Sequence, residues 1–170
     1  MNGIILKSLL AMTLFAGGLV LPTPRVANAQ DSGLAIGTQA PSARLQTLDG
    51  KPVDLALVAK GPAVIEFWAT WCENCEALLP EMKRAHATYG DRVKFVAVAV
   101  SVNQSINRVK LHVAKHGVPG EQLYDTSGDA TGKWDVPATS YVVVLDKKGK
   151  VVYTGVGGDQ KIEAAIRKAL

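Results

Sequence analysis

The apolar run Ala63-Val64-Ile65-Glu66-Phe67-Trp68 is followed, after three intervening residues, by Cys72-Glu73-Asn74-Cys75, where a helical pattern begins. A run that apolar reads as a strand buried on both faces, as in the middle of a parallel or mixed sheet. The chain must therefore turn from a central strand directly into a helix. Both cysteines of the sequence sit at that junction. A thiol at a helix N-terminus meets unpaired backbone N–H groups and the positive end of the helix dipole. Both favour the thiolate, the nucleophilic form. A second cysteine one turn further on can close an intramolecular disulfide. The junction points to dithiol–disulfide exchange.

A chain of 170 residues is expected to form one domain with a substantial core. Its first part reads as a secretory leader. Lys7 supplies a positive start, Ser8 to Leu21 is uncharged and mostly apolar, and Ala27-Asn28-Ala29 has the small-x-small form of a cleavage site. The apolar stretch has 14 residues, short of the roughly 20 needed to span a bilayer. The expected organisation is a signal peptide over 1–29, a flexible lead-in over 30–40 and a folded domain over 41–170. Localisation is then periplasmic or secreted. Retention of the leader as a membrane anchor is the competing reading.

The formal charge is +4, but Lys7 and Arg25 belong to the leader; without them 17 basic residues face 15 acidic ones. That balance, with no dense basic cluster, argues against nucleic acid or a membrane surface as partner. Two cysteines in an exported chain do not make a disulfide-stapled miniprotein. Closing so short a loop also stabilises a fold little, so the pair is read as reactive rather than structural.

Along the chain, Ala43–Leu48 and Pro52–Leu55 flank the turn pair Asp49-Gly50, a hairpin signal. A helix is predicted from about Cys72 to Tyr89, stopping at Gly90, with a kink at Pro80. Val93–Val100 reads as a second buried strand. Ser105–His116 reads as a helix with Ile106, Val109 and Val113 on one face. Gln122–Tyr124 is a short strand, and Ser127–Trp134 is ambiguous because Gly128 and Gly132 weaken a helix. Ser140–Leu145 and Lys150–Thr154 form a hairpin. Asp159–Leu170 reads as the last helix, capped by Asp159, with Ile162, Ala165, Ile166 and Ala169 inward. The alternation of strands and helices implies an α/β sheet covered on both faces.

With these pieces in order, Phe67-Trp68-Ala69-Thr70-Trp71-Cys72-Glu73-Asn74-Cys75 resembles the active-site segment of thioredoxin-fold proteins. The wider pattern is similar to the exported TlpA/ResA-like thiol:disulfide oxidoreductases. Supporting segments are Ala40-Pro41, Leu48-Asp49-Gly50-Lys51, Leu79-Pro80, Val136-Pro137 and Tyr141–Asp146. Asn74 stands where many members have proline, and Ala138 where threonine is common. The resemblance implies a thioredoxin fold: a central mixed sheet flanked by helices, with an N-terminal β-hairpin and a central αβ insertion. It implies disulfide-bearing client proteins, such as apocytochromes c or copper-site cysteines, and electrons from a membrane thiol carrier. No cofactor is required, and the chain is expected to act as a monomer. It also implies that Pro137 is a cis-proline facing the active site, with the backbone of Val136 and the side chain of Trp71 placed against substrate.

Cys72 is the candidate nucleophile, expected to be the more exposed and more acidic thiol, and Cys75 is the resolving thiol. Glu66 sits inside an apolar strand, where a carboxyl is costly unless paired or neutral. Burial would raise its pKa and suit it to proton exchange with Cys75. Glu73 is read as a modulator. Together with Glu66 and Glu76 it disfavours a thiolate while ionised, which favours a reductant over a strong oxidant. Trp68, Trp71 and Trp134 read mainly as core or rim packing, and His86, His112 and His116 as ordinary helix-face residues.

Three alternatives compete with exchange. Cys72-x-x-Cys75 with His112-x-x-x-His116 has metal-like spacing, but 36 residues separate the pairs and the short spacing of zinc fingers is missing. A copper-binding role would need His112 or His116 to approach Cys72. A thiol peroxidase would need a threonine–cysteine spacing and a preceding proline that the sequence lacks.

Overall fold

The computed structural model describes residues 33–170. The expected signal peptide, its cleavage site and the start of the lead-in lie outside the described residues.

The elements run β1 (Arg44–Thr47), β2 (Pro52–Asp54), α1 (Leu55–Val58), β3 (Ala63–Trp68), α2 (Glu73–Tyr89), β4 (Lys94–Val100), α3 (Ile106–His116), β5 (Glu121–Asp125), α4 (Asp129–Lys133), β6 (Tyr141–Leu145), β7 (Val151–Gly155) and α5 (Ile162–Ile166). They form a thioredoxin fold around one mixed sheet of order β2-β1-β5-β4-β3-β6-β7. β3 lies between β4, parallel to it, and β6, antiparallel. All six of its residues are buried, as the apolar run requires. α3 and β5 form the expected αβ insertion, with β5 parallel to β4 and carrying the β1–β2 hairpin at its outer edge.

Alternate residues of β3 face opposite layers. Val64 packs with Leu78, Met82 and Ala85 of α2 and Ile162, Ala165 and Ile166 of α5. On the other side the Phe67 ring meets Trp134 at 5.8 Å and Tyr141 at 6.0 Å. Trp68 meets His112 at 5.3 Å, which sets α3 beside α2 on the layer that Val64 and Glu66 face. Burial of these two clusters is the dominant favourable term in the fold.

The structure departs from the sequence reading in places, each time because a side chain supplies a cap that the hydrophobic pattern does not encode. Leu55 begins the short helix α1 instead of ending a strand, because the Asp54 side chain accepts the Ala56 N–H at 2.9 Å and caps it. The ambiguous segment becomes α4. Its Gly128 cap residue offers no side chain, and the buried Asp125 substitutes, accepting from Thr131 N at 2.8 Å, Thr131 Oγ1 at 2.7 Å and Ala130 N at 3.3 Å. α5 is shorter than Asp159–Leu170, and Asp159 does not cap it. The Ile162 N–H is taken instead by Glu81 Oε1 of α2, at 3.1 Å. α2 continues past Pro80, which lies on its exposed side.

Residues 33–40 differ from a loose lead-in. Gly37 N donates to Val151 O at 2.7 Å, Val151 N to Thr38 O at 2.9 Å, and Ala40 N to Gly149 O at 2.9 Å. Leu34 N donates to the Tyr141 hydroxyl at 2.8 Å. The segment therefore runs beside the start of β7 as a strap over the β6–β7 hairpin.

Candidate active site

The chain leaves β3 at Trp68 and needs only Ala69, Thr70 and Trp71 to reach α2. Cys72 is the N-cap of that helix, with an extended backbone. Its Sγ accepts the backbone N–H of Cys75 at 3.1 Å, the role a serine or aspartate oxygen plays in other helices. Its carbonyl accepts from Cys75 N at 3.1 Å and from Glu76 N at 3.2 Å. Cys72 and Cys75 are joined by a disulfide across 5.2 Å between their Cα atoms. Sulfur thus sits where the first-turn donors and the helix dipole converge.

The approach to the helix is held by a residue outside any sequence motif. Gln104 Oε1 accepts the Thr70 N–H at 2.8 Å, and its Nε2 donates to Val100 O. Trp71 is 44% exposed, and its Nε1 donates to Val102 O at 2.9 Å. On the other flank Gly158 lies so close to the first turn of α2 that a Cβ there would come 2.6 Å from the Ala77 Cβ. These contacts fix the disulfide between two loops.

The expectation that Cys72 is the more exposed cysteine does not hold. Cys72 is 5% exposed and Cys75 7%. In the disulfide both belong to the core cluster that includes Trp68, Ala69 and Trp134, so neither stands out from the surface.

Glu66 is 3% exposed and has no hydrogen bond or ion pair among the described residues. Its neighbours across the sheet are Ala97 and Val142. Burial without a partner pushes its carboxyl from 4.5 up to about 8. It is therefore neutral at pH 7. Glu66 lines one small cleft with Trp68, Ala69, Cys75, Glu76, Leu79, His112 and Val118. The space is about the size of one water molecule. The structure thus brings Glu66 and Cys75 to a common cavity.

Glu73 and Glu76 are exposed in the first turn of α2, where the dipole favours carboxylates. Val136 packs against the cluster that holds the two cysteines, while Pro137 is exposed. The cis bond implied for Pro137 is not present; all described peptide bonds are trans. Trans is the lower-energy isomer by roughly 0.5–1 kcal/mol. Asp135 and Ser140, at φ 47° and 64°, reverse the chain on either side of it. The Val136 N–H is also already spent on Thr131 O at 3.0 Å, leaving only its carbonyl for an incoming strand.

His112 is, in the sequence reading, a helix-face residue or, in the metal alternatives, a ligand, but not a neighbour of Glu66. It reaches the cleft of Glu66 and Cys75 from α3 and stacks on His116 at 4.2 Å. The available signal was the i, i+4 histidine pair on an amphipathic helix. Among the described residues no group of three or more His, Cys, Asp or Glu side chains is arranged to hold a metal ion.

The model of the redoxin family matches residues 35–170. The chain belongs to the redoxin family. Its relatives place it on the TlpA/ResA-like branch, and it is a thiol–disulfide oxidoreductase acting on disulfide-bearing proteins. The chain is 29% identical to the thioredoxin-like protein YneN of Bacillus subtilis over 135 residues, covering 79% of each. It is 26% identical to the thiol-disulfide oxidoreductase ResA of Bacillus anthracis over 137 residues, again 79% of each. In structure it is similar to a putative thiol:disulfide interchange protein DsbE from Chlorobium tepidum, with a TM-score of 0.67 and 25% identity over 78% of this chain and 99% of that one.

Proposed function

We propose that this redoxin is an exported reductant of protein disulfides, with Cys72 as nucleophile and Cys75 as resolving thiol. The observation that carries the assignment is the cap geometry. Cys72 Sγ receives a backbone N–H and stands at the positive end of a 17-residue helix, whereas Cys75 lies one turn inside. The Cys72 thiolate attacks a client disulfide, and a mixed disulfide forms as one client sulfur leaves. Cys75 then attacks Cys72, the second client sulfur leaves, and the Cys72–Cys75 disulfide closes. The client gains two electrons and the dithiol loses two.

Glu66 supports proton movement in that cycle. Neutral in the disulfide state, it can protonate Cys75 when the disulfide is opened during reloading. Trp71 and the Val136 carbonyl border the site where a client segment would lie. Export rests on the leader, including Ala27-Asn28-Ala29. A periplasmic location, a monomeric state, electrons from a membrane thiol carrier, and clients such as apocytochromes c or copper-site cysteines follow from the family resemblance.

The test is trapping. A Cys75→Ala variant should hold clients on Cys72 as mixed disulfides that dithiothreitol releases. Captured proteins with paired cysteines support the reading; a variant that forms no adduct with any protein disulfide overturns it.

A further inference from the structure

Two buried polar residues take no part in the exchange chemistry, Ser140 and Gln160. Ser140 closes the loop that begins at Asp135 and carries Val136 and Pro137. Gln160 follows the turn 156–158 between β7 and α5. Both loops border the disulfide. Val136 packs against the cluster that holds the two cysteines, and a Cβ on Gly158 would come 3.1 Å from the carbonyl oxygen of Asn74, which lies between them. We propose that Gln160 is a positioning residue. It ties the two loops into one wall beside the disulfide and so sets how well a protein client binds, without acting on the sulfurs. The inference rests on the exchange reaction above.

The bonds run between the loops. Gln160 Nε2 donates to Ser140 O at 2.9 Å and to Gly157 O at 2.8 Å, one carbonyl from each loop. Gln160 Oε1 accepts the hydroxyl of Tyr153, on β7, at 3.1 Å. A second link crosses the same gap, with Gly157 N donating to Ser140 Oγ at 3.0 Å. Both N–H donors of the carboxamide and its oxygen are thus engaged, and two carbonyl acceptors fix which way the group faces. Packing leaves it little room, since a Cβ on Gly155 would come 2.6 Å from Gln160 Oε1. Ser140 sits at φ 64°, uncommon for a residue with a side chain. Such a conformation persists where the surrounding structure over-determines it.

The placement separates binding from chemistry. Pro137 and Val156 are exposed, one on each loop. An extended client segment lying on this side meets both loops at once, whereas a small disulfide need only reach the Cys72 sulfur. Loops already held in their binding arrangement cost less to order when a client arrives. Gln160 does not line the cleft of Glu66 and Cys75, so it leaves the thiols' surroundings as they are.

Two probes of the reduced protein test this. One is a short extended peptide whose single mid-chain cysteine is joined by a disulfide to an aromatic thiol. The other is the symmetrical aromatic disulfide itself. With each, the Cys72 thiolate forms a new disulfide, the aromatic S–S bond breaks, and a coloured aromatic thiolate leaves with the electron pair. On the peptide probe the more acidic aromatic thiol is the better leaving group.

Gln160→Leu should lower the second-order rate constant for the peptide on the order of 10-fold, by raising the half-saturating concentration rather than lowering the limiting rate. The constant for the small disulfide should stay within about two-fold, and the reduction potential should not move. Gln160→Glu keeps the shape but, ionised, has no N–H for the two carbonyls; it should match Gln160→Leu. Ser140→Gly suits the positive φ and loses only the Oγ acceptor, so it should show a smaller loss of the same kind. If the Gln160 variants do not fold, the ratio of the two constants in Ser140→Gly decides. An unchanged peptide rate, or an equal fall with both probes, overturns the inference. Failure of the wild type to release aromatic thiolate from either probe would instead overturn the exchange reading beneath it.

Discussion

Cys75 donates its backbone N–H to the sulfur of Cys72 at 3.1 Å, so the two cysteines of the disulfide are also linked as cap and first turn of α2. The bond is asymmetric: only Cys72 receives it. A charged acceptor strengthens such a bond, so the cap favours negative charge on Cys72 over Cys75, in line with the roles proposed for them.

Cys72→Ser should therefore abolish reduction of protein disulfides, and Cys75→Ser should leave a stable mixed disulfide on Cys72. Mass spectrometry after brief alkylation of the reduced protein at mildly acidic pH checks the assignment. Label found first on Cys75 would reverse the two roles.

Glu66→Gln should slow exchange without unfolding the protein, and should also change how stability depends on pH. The folded-state value, about 8, lies above the ordinary 4.5. Between those values the folded protein keeps a proton that the unfolded chain has released. The stabilising contribution is complete below about 4.5 and is lost as pH rises through about 8. Denaturant titrations of the disulfide form should show stability falling by on the order of 1 kcal/mol per pH unit across that window. Glu66→Gln should flatten the slope. An unchanged slope would mean that Glu66 ionises normally.

The reduction potential should lie nearer thioredoxin's, about −270 mV, than a strong oxidant's, about −120 mV. The three-carboxylate reading of the sequence contracts here, because Glu66 is neutral at pH 7. Glu73 and Glu76 remain beside the helix start and oppose the thiolate. The helix dipole works the other way, by up to about 2 kcal/mol. Equilibration with a glutathione buffer gives the value. A potential above about −180 mV contradicts the assignment as reductant.

Asp125→Ala should destabilise the fold by about 2 kcal/mol, since three donors of α4 lose their acceptor in a buried position. Asp125→Asn, which keeps one acceptor oxygen, should cost less. Unfolding midpoints measure both. The exchange rate of the folded protein should be unchanged, because Asp125 does not line the cleft.

Local sequence determined the strand–helix junction and much of the layout. Ala63–Trp68 is apolar at every position but one, so only a central strand accommodates it, and the odd residue, Glu66, had to be buried with it. Cys72 follows within four residues, too few for any path except a direct turn into α2. Helix faces were legible too: Ile162, Ala165, Ile166 and Ala169 are all buried as their spacing requires. Tertiary structure decided what depends on groups far apart in the chain. Glu81 starts α5 from 81 residues away, and Asp135 accepts the Gly33 N–H from 102 away. Val136-Pro137 carries a family pattern, yet the bond is trans, in a segment flanked by positive-φ residues Asp135 and Ser140. His112 shows the distinction most clearly. Periodicity puts it on a helix face, but only the crossover from β4 through α3 to β5 sets that face against Trp68 and the cleft of Cys75. Hydrophobic period encodes which side of an element is buried; it holds no information about which polar groups meet once the layers close.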